Sequence, residues 1–221
     1  FHLRETGVDV FSVSFDFPDE RHDDFRGIPG LFAHLKSLAA DVTGEGEDAM
    51  TLNSVVHSRN FRELLTMAEV ARDWGLTINY SPYTWLRTHD DSYIISGDEL
   101  PEFRDMIHRR IEFKDMYGVI RTNNSFFWDM ADFFETREKP GCRAGERFLV
   151  VNPDATLSPC GLIITNHSSW DDLKAEFSAT NECAACNTSI RANTEHPFNN
   201  LLRGGVRSLF DMSMSSPPAQ N

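Results

Sequence analysis

The stretch CRAGERFLVVNPDATLSPC opens on Cys142 and closes on Cys160, and CAAC follows at Cys183 and Cys186. These are all four cysteines of a 221-residue chain. Sulfurs separated by two residues reach one ion, because the intervening turn points both the same way. Cys142 lies just before a predicted hairpin and Cys160 lies at its end, so antiparallel pairing can bring these two together as well. Four thiolates from three short elements satisfy either a tetrahedral zinc or a 4Fe–4S cluster. Zinc ribbons use two close pairs, whereas the first pair here is widely split. A redox CxxC belongs at the start of a helix, after a strand, and no strand leads into CAAC. Spacing alone leaves zinc and iron–sulfur open.

Composition narrows the setting. The chain carries 34 acidic against 21 basic residues, a net charge of −13. Such a surface repels phosphate backbones and anionic lipids, which argues against nucleic-acid and membrane partners. No apolar run approaches the roughly 20 residues that span a bilayer, and no signal peptide is recognisable. So few thiols in a chain this long do not suggest a secreted disulfide scaffold, and a reducing cytoplasm is expected.

The elements that must position these residues read as α/β. VDVFSVSF over 8–15 is β-branched and aromatic and predicts a strand. A loop follows, then LFAHLKSLAADV with Leu31, Leu35 and Leu38 at helical spacing. A second strand is expected over 51–56. Asn60 is expected to cap a helix whose Phe61, Leu64, Leu65, Ala68, Ala71 and Trp74 share one face, ended by Gly75. A third strand is expected over 76–80. This alternation predicts a parallel sheet covered by helices, with ligands at the carboxyl ends of the strands. Residues 84–136 read as helical, with Leu100, Phe103, Met106, Ile107 and Ile111 on one side. RFLVV and TLSPC then flank a turn at Pro153, Asp154 and Ala155. A short helix capped by Ser168 or Ser169 follows, then a last helix over 196–209 and a frayed tail. His22 and His57 read as surface or capping histidines, and the pairs Asp23–Asp24 and Asp171–Asp172 as solvated or helix-starting charges.

Two segments carry a family resemblance. FSVSFDFPDERHDDFRGIPGLF resembles the fourth-strand region of radical S-adenosylmethionine enzymes, where a Ser-x-Ser-x-Asp strand end is followed by an hD..RG..G.F pattern leading into a helix. TLNSVVHSRNFRELLTMAEVARDWGLTINYSP resembles their fifth strand, helix and sixth strand. The cysteine region resembles the auxiliary-cluster extension called SPASM, in its shorter single-cluster form known as twitch. The resemblance implies a partial (β/α)6 TIM-like barrel, represented by its carboxyl-terminal half, followed by a small β-hairpin and helix iron–sulfur domain. Its expected boundaries are 1–138 for the barrel part and helical connection, 139–196 for the twitch domain, and 197–221 for a terminal helix and tail.

In that family a first 4Fe–4S cluster reductively cleaves S-adenosyl-L-methionine, and the resulting 5′-deoxyadenosyl radical abstracts a substrate hydrogen. The resemblance implies Cys142, Cys160, Cys183 and Cys186 as ligands of an auxiliary 4Fe–4S cluster. Ser14 and Asp16 would meet the ribose or methionine end of the cofactor, Arg26 its carboxylate, and Asn53 its ribose. A peptide, protein or small-molecule substrate and a flavodoxin or ferredoxin as reductant would follow. The CxxxCxxC of the first cluster is absent, as are the first three strands, and the chain begins with Phe1. An amino-terminally truncated oxidoreductase, inactive as 221 residues, is therefore expected. The competing reading is a non-catalytic module in which the four cysteines hold zinc for partner binding.

Overall fold

The computed structural model describes residues 6–8, 10–43 and 50–195. Three short β-rich segments pair in parallel: β1 (Phe11–Ser14), β2 (Met50–Val56) and β3 (Thr77–Pro82), in the order β1-β2-β3. The register sets Ser14 opposite Asn53 and Asn53 opposite Asn79. Side chains alternate along a strand, so Met50, Leu52, Ser54 and Val56 all point into the core while Thr51 and Asn53 stay half-buried. Along β3 the same alternation buries Ile78, Tyr80 and Pro82.

The crossovers between the strands are helical. The loop expected after β1 contains α1 (Arg21–Arg26), a short helix stopped by Gly27 in the left-handed region. α2 (Leu31–Thr43) follows. Its start is held by Asp23, whose carboxylate accepts from the Gly30 N–H at 2.6 Å and the Phe32 N–H at 2.7 Å. Asp23 is thus a helix-terminal acceptor rather than a solvated charge, and complements the positive end of α2. Between β2 and β3 a 3₁₀ turn (Phe61–Glu63) leads into α3 (Leu64–Asp73), which buries Leu64, Met67, Ala68 and Ala71 against the sheet.

The segment read as wholly helical contains a further strand-like piece. The Ile78 N–H donates to Val119 O and the Arg121 N–H to Ile78 O, both at 2.9 Å, giving a parallel bridge between Ile78 and Ile120. Thr122 Oγ1 continues the ladder by accepting from the Tyr80 N–H at 2.7 Å. Residues 119–122 therefore extend the sheet beyond β3. They are too few to show a period, and only their distant partner makes them extended. On either side lie α4 (Glu99–Tyr117) and α5 (Asn124–Thr136). Phe103, Met106 and Ile107 of α4 pack with Phe127, Phe133 and Phe134 of α5 in the core. Arg110 is also fully buried, its guanidinium 3.7 Å above the Phe127 ring.

The chain divides into two compact units, the first running to Lys139 and including Ala184–Asn187, the second comprising Pro140–Cys183 and the residues from Thr188 on. In the second unit β4 (Val150–Val151) and β5 (Leu157–Ser158) form an antiparallel hairpin. Ala155 occupies its turn at φ 66°, where glycine is the easier residue. His167 exchanges two backbone hydrogen bonds of 2.8 Å with Leu157 and so pairs beside the hairpin. α6 (Trp170–Glu176) is capped by Ser169, whose Oγ accepts from the Asp172 N–H at 3.1 Å. A helix not foreseen in the sequence, α7 (Ser189–Glu195), closes the described region. The expected helix over 196–209 and the tail lie outside the described residues.

Gly75 ends α3 at φ +70°, and a Cβ there would sit 2.6 Å from Thr43 Cγ2. Gly75→Ala should lower stability by about 1–3 kcal/mol. An unchanged urea midpoint would contradict that packing.

Candidate functional site

At the carboxyl ends of β1 and β2 the backbone runs out of ladder partners, and side chains take over. Asn60 is the centre of this exchange. Its Nδ2 donates to Asp16 O at 3.1 Å and to Val55 O at 2.9 Å, while its Oδ1 accepts from the His57 N–H at 2.9 Å. It therefore does not cap the following helix, as its sequence position suggested. Fully buried between two strand ends, it satisfies the buried Asp16 carbonyl and the half-buried Val55 carbonyl together.

Asp16 is equally buried. One carboxylate oxygen accepts from the Val55 N–H at 3.1 Å, and the other is held by the Arg26 guanidinium. Two of the predicted cofactor-binding residues are thus each other's partners. Asp16 spends both oxygens within the protein, whereas the Arg26 side chain remains 32% exposed at the rim. Ser14 is exposed and opposite Asn53 in the register. Asn53 donates to Ser12 Oγ and not to Ser14. Ser14 and Asp16 lie at and just past the end of β1, Asn53 lies in the middle of β2, and Arg26 reaches Asp16 from α1.

Both rim histidines are buried, at 0% exposure for His22 and 1% for His57. His22 Nδ1 accepts from the Asp16 N–H at 3.3 Å, and burial lowers its pKa below the usual value. His57 Nδ1 accepts from the Arg59 N–H at 3.2 Å, so the neutral ring carries its proton on Nε2. That Nε2 is buried without a hydrogen-bond partner among the described residues. Desolvation first, then the nearby Arg59 and Arg26 charges, pushes the His57 pKa down to about 4. Of the expected surface or capping roles the surface one fails, because flanking Phe17, Phe25 and Tyr93 rings enclose His57, with centroids 5.1–6.1 Å away, while each histidine does accept a backbone N–H. Nothing local in the sequence announces that enclosure.

In the second unit, Cys142 and Cys183 meet. Their thiols share a hydrogen bond, which with burial raises the Cys142 pKa. Asn181 staples the two segments: its Nδ2 donates to Cys142 O at 2.8 Å, and its Oδ1 accepts from the Cys183 N–H at 3.0 Å. The fully buried Arg191 lies close enough to Cys142 to favour its thiolate, and donates to Pro140 O at 2.9 Å. Cys160 Sγ accepts from the Ile163 N–H at 3.3 Å. Cys186 is buried in the segment that groups with the first unit, where Ala184 O accepts from the Lys139 N–H at 2.7 Å. A buried guanidinium and an N–H···S bond suit thiolate or cluster sulfur. Among the described residues, however, no three His, Cys, Asp or Glu side chains are grouped to hold a metal ion. The donor chemistry fits an iron–sulfur or zinc site, and the geometry assembles a pair. A hydroxyl–imidazole–carboxylate chain not foreseen in the sequence joins Thr165 Oγ1, His167 and Glu176 through contacts of 3.0 Å each, tying the hairpin to α6.

No protein-family model matches the chain. Over 75 residues, 33% of the chain, it is 37% identical to an AdoMet-dependent heme synthase of Methanosarcina barkeri (strain Fusaro / DSM 804). The matched region spans 21% of that protein's length. The chain is therefore a partial relative of an S-adenosylmethionine-dependent enzyme. No helix among the described residues is long and apolar enough to cross a membrane.

Two measurements probe the rim. Asn60→Ala strands the buried Asp16 carbonyl and His57 N–H and the half-buried Val55 carbonyl, and should cost about 2–4 kcal/mol in urea unfolding. For His57, the unfolded ring binds a proton near pH 6.5 while the folded ring resists until about pH 4. The contribution of neutral His57 is therefore complete above about pH 6.5 and disappears as pH falls through that window, by as much as about 3 kcal/mol. His57→Gln should flatten the stability profile between those limits. An equally steep profile in the variant would place the titration elsewhere.

Proposed function

We propose that this chain is the sheet-and-auxiliary-domain portion of a radical S-adenosylmethionine enzyme, with a twitch-type 4Fe–4S cluster held by Cys142, Cys160, Cys183 and Cys186. The observation that carries the reading is the match to an AdoMet-dependent enzyme in a chain with parallel strands and cysteines ordered as in that family. A cluster of this kind and S-adenosylmethionine, when bound, supply electron transfer and a radical that removes substrate hydrogen. The cysteines of the cofactor-cleaving cluster would then lie outside these residues, since all four here belong to the auxiliary site.

The chain's own residues have definable tasks under this reading. Asn60 and Asp16 lock the strand ends, and Asp16 orients Arg26. The exposed part of the Arg26 fork is left to take a carboxylate, while Ser14 and Asn53 offer hydroxyl and amide groups beside it. Asp16 thus acts as a positioning residue. Arg191 offsets the negative charge that four thiolates bring, which lowers the cost of burying them. A peptide, protein or small-molecule substrate and a flavodoxin-like or ferredoxin-like reductant complete the proposal.

Anaerobic reconstitution with iron and sulfide should give a brown protein holding about four irons per chain. Cys183→Ser should lose most of that iron while the far-UV spectrum of the sheet unit persists. A colourless protein carrying one zinc would replace this reading with the four-cysteine zinc module.

A further inference from the structure

Arg59 in the first unit is an exposed arginine set over an aromatic ring, with no carboxylate partner among the described residues. It lies 4.2 Å from the Tyr93 ring centroid, and its side chain enters no ion pair among the described residues. The acid that feels its charge, Asp90, already accepts from the Ser92 N–H at 2.9 Å. An exposed arginine flattened on a tyrosine, in a protein of net charge −13, is a cation held in place for something other than a surface ion pair. The residues around it share that character. Phe25 is 37% exposed yet lies nearly parallel to the His57 ring, at 24° and 5.1 Å. Tyr93 meets His57 edge-on at 5.3 Å and Tyr83 at 5.5 Å. The charges of Arg59 and Arg26 both reach His57, and of the two Arg26 is already paired with Asp16.

We propose that Arg59, His57, Phe25 and Tyr93 form a binding site for a carboxylate carried on an aromatic or similarly planar group. The guanidinium fork of Arg59 takes the carboxylate, and the planar body stacks on the aromatic rings. The buried His57 Nε2–H is the second donor. Leaving it unpaired costs free energy, which a ligand oxygen that reaches it would recover. Phe25, in the last turn of α1, is held through ring contacts with Phe17, His57 and Tyr93 and offers its exposed part to the planar body.

The location matches the task. His57 follows β2, Tyr83 follows β3, and Phe25 lies in the crossover that follows β1, so the corner stands at the carboxyl ends of the strands, where ligands of parallel sheets bind. The proposal names the substrate class of the reading above and rests on it for the reaction. The binding itself requires neither cluster nor S-adenosylmethionine.

Phenylacetate serves as the probe, with phenylacetamide as its neutral counterpart. Titration into the full ¹⁵N-labelled chain should move the His57 ring signals saturably, and phenylacetamide should bind at least about tenfold more weakly. Arg59→Gln, at an exposed position, should weaken phenylacetate by a similar factor with an unchanged thermal melt, and Arg59→Lys should restore only part of it. No saturable shift of His57, equal binding of acid and amide, or undiminished binding by Arg59→Gln would each overturn the proposal. Iron content is read separately, so loss of the cluster reading and loss of this site give different results.

Discussion

Parallel strands present a particular problem at their carboxyl ends: the last carbonyls and amides must be satisfied where the ladder stops, yet a ligand site must be built on the same ground. Here the solution is one buried amide and one buried carboxylate. Asn60 ties the ends of β1 and β2 through Asp16 O, Val55 O and the His57 N–H, and Asp16 adds the Val55 N–H and the Arg26 guanidinium. The loops carrying Phe25, Arg26, His57 and Arg59 are thereby anchored to the sheet. Their exposed tips can present charged and aromatic groups without being free to wander.

This clasp also explains the polarity of the rim. A chain with a large acidic excess gathers Arg26 and Arg59 close enough to depress the His57 pKa, and it pairs only one of them with a carboxylate. Local field, not net charge, decides what such a corner attracts. The second unit follows the same logic on a smaller scale. Arg191, buried beside Cys142, supplies positive charge where thiol chemistry is concentrated, and Asn181 holds the two thiol-bearing segments together. In both places an asparagine satisfies backbone groups of two chain segments at once.

Much of the scaffold could be read from local pattern. Alternation in β2 and β3, the apolar stripe of α3, the stop at Gly75 and the Ser169 cap are encoded within a few residues, because each depends on backbone geometry that neighbours alone dictate. The placement of Ser14 and Asp16 at the end of β1 was likewise legible, since strand polarity sets it.

Partner choice was not. Asn60 sits where helix caps sit, yet its amide turns to two strand ends that only the assembled sheet brings within reach. His22 and His57 look like loop residues, and are buried because aromatic rings from other segments fold over them. Residues 119–122 are extended because β3 lies alongside. Sequence alone determined the types and order of β1 to β3 and of the helices α2 and α3 between them, and the supply of thiols, all consequences of short-range sterics and composition. The tertiary structure decided which polar groups are spent on the fold and which stay available, because burial and hydrogen-bond competition are settled by residues distant in the chain.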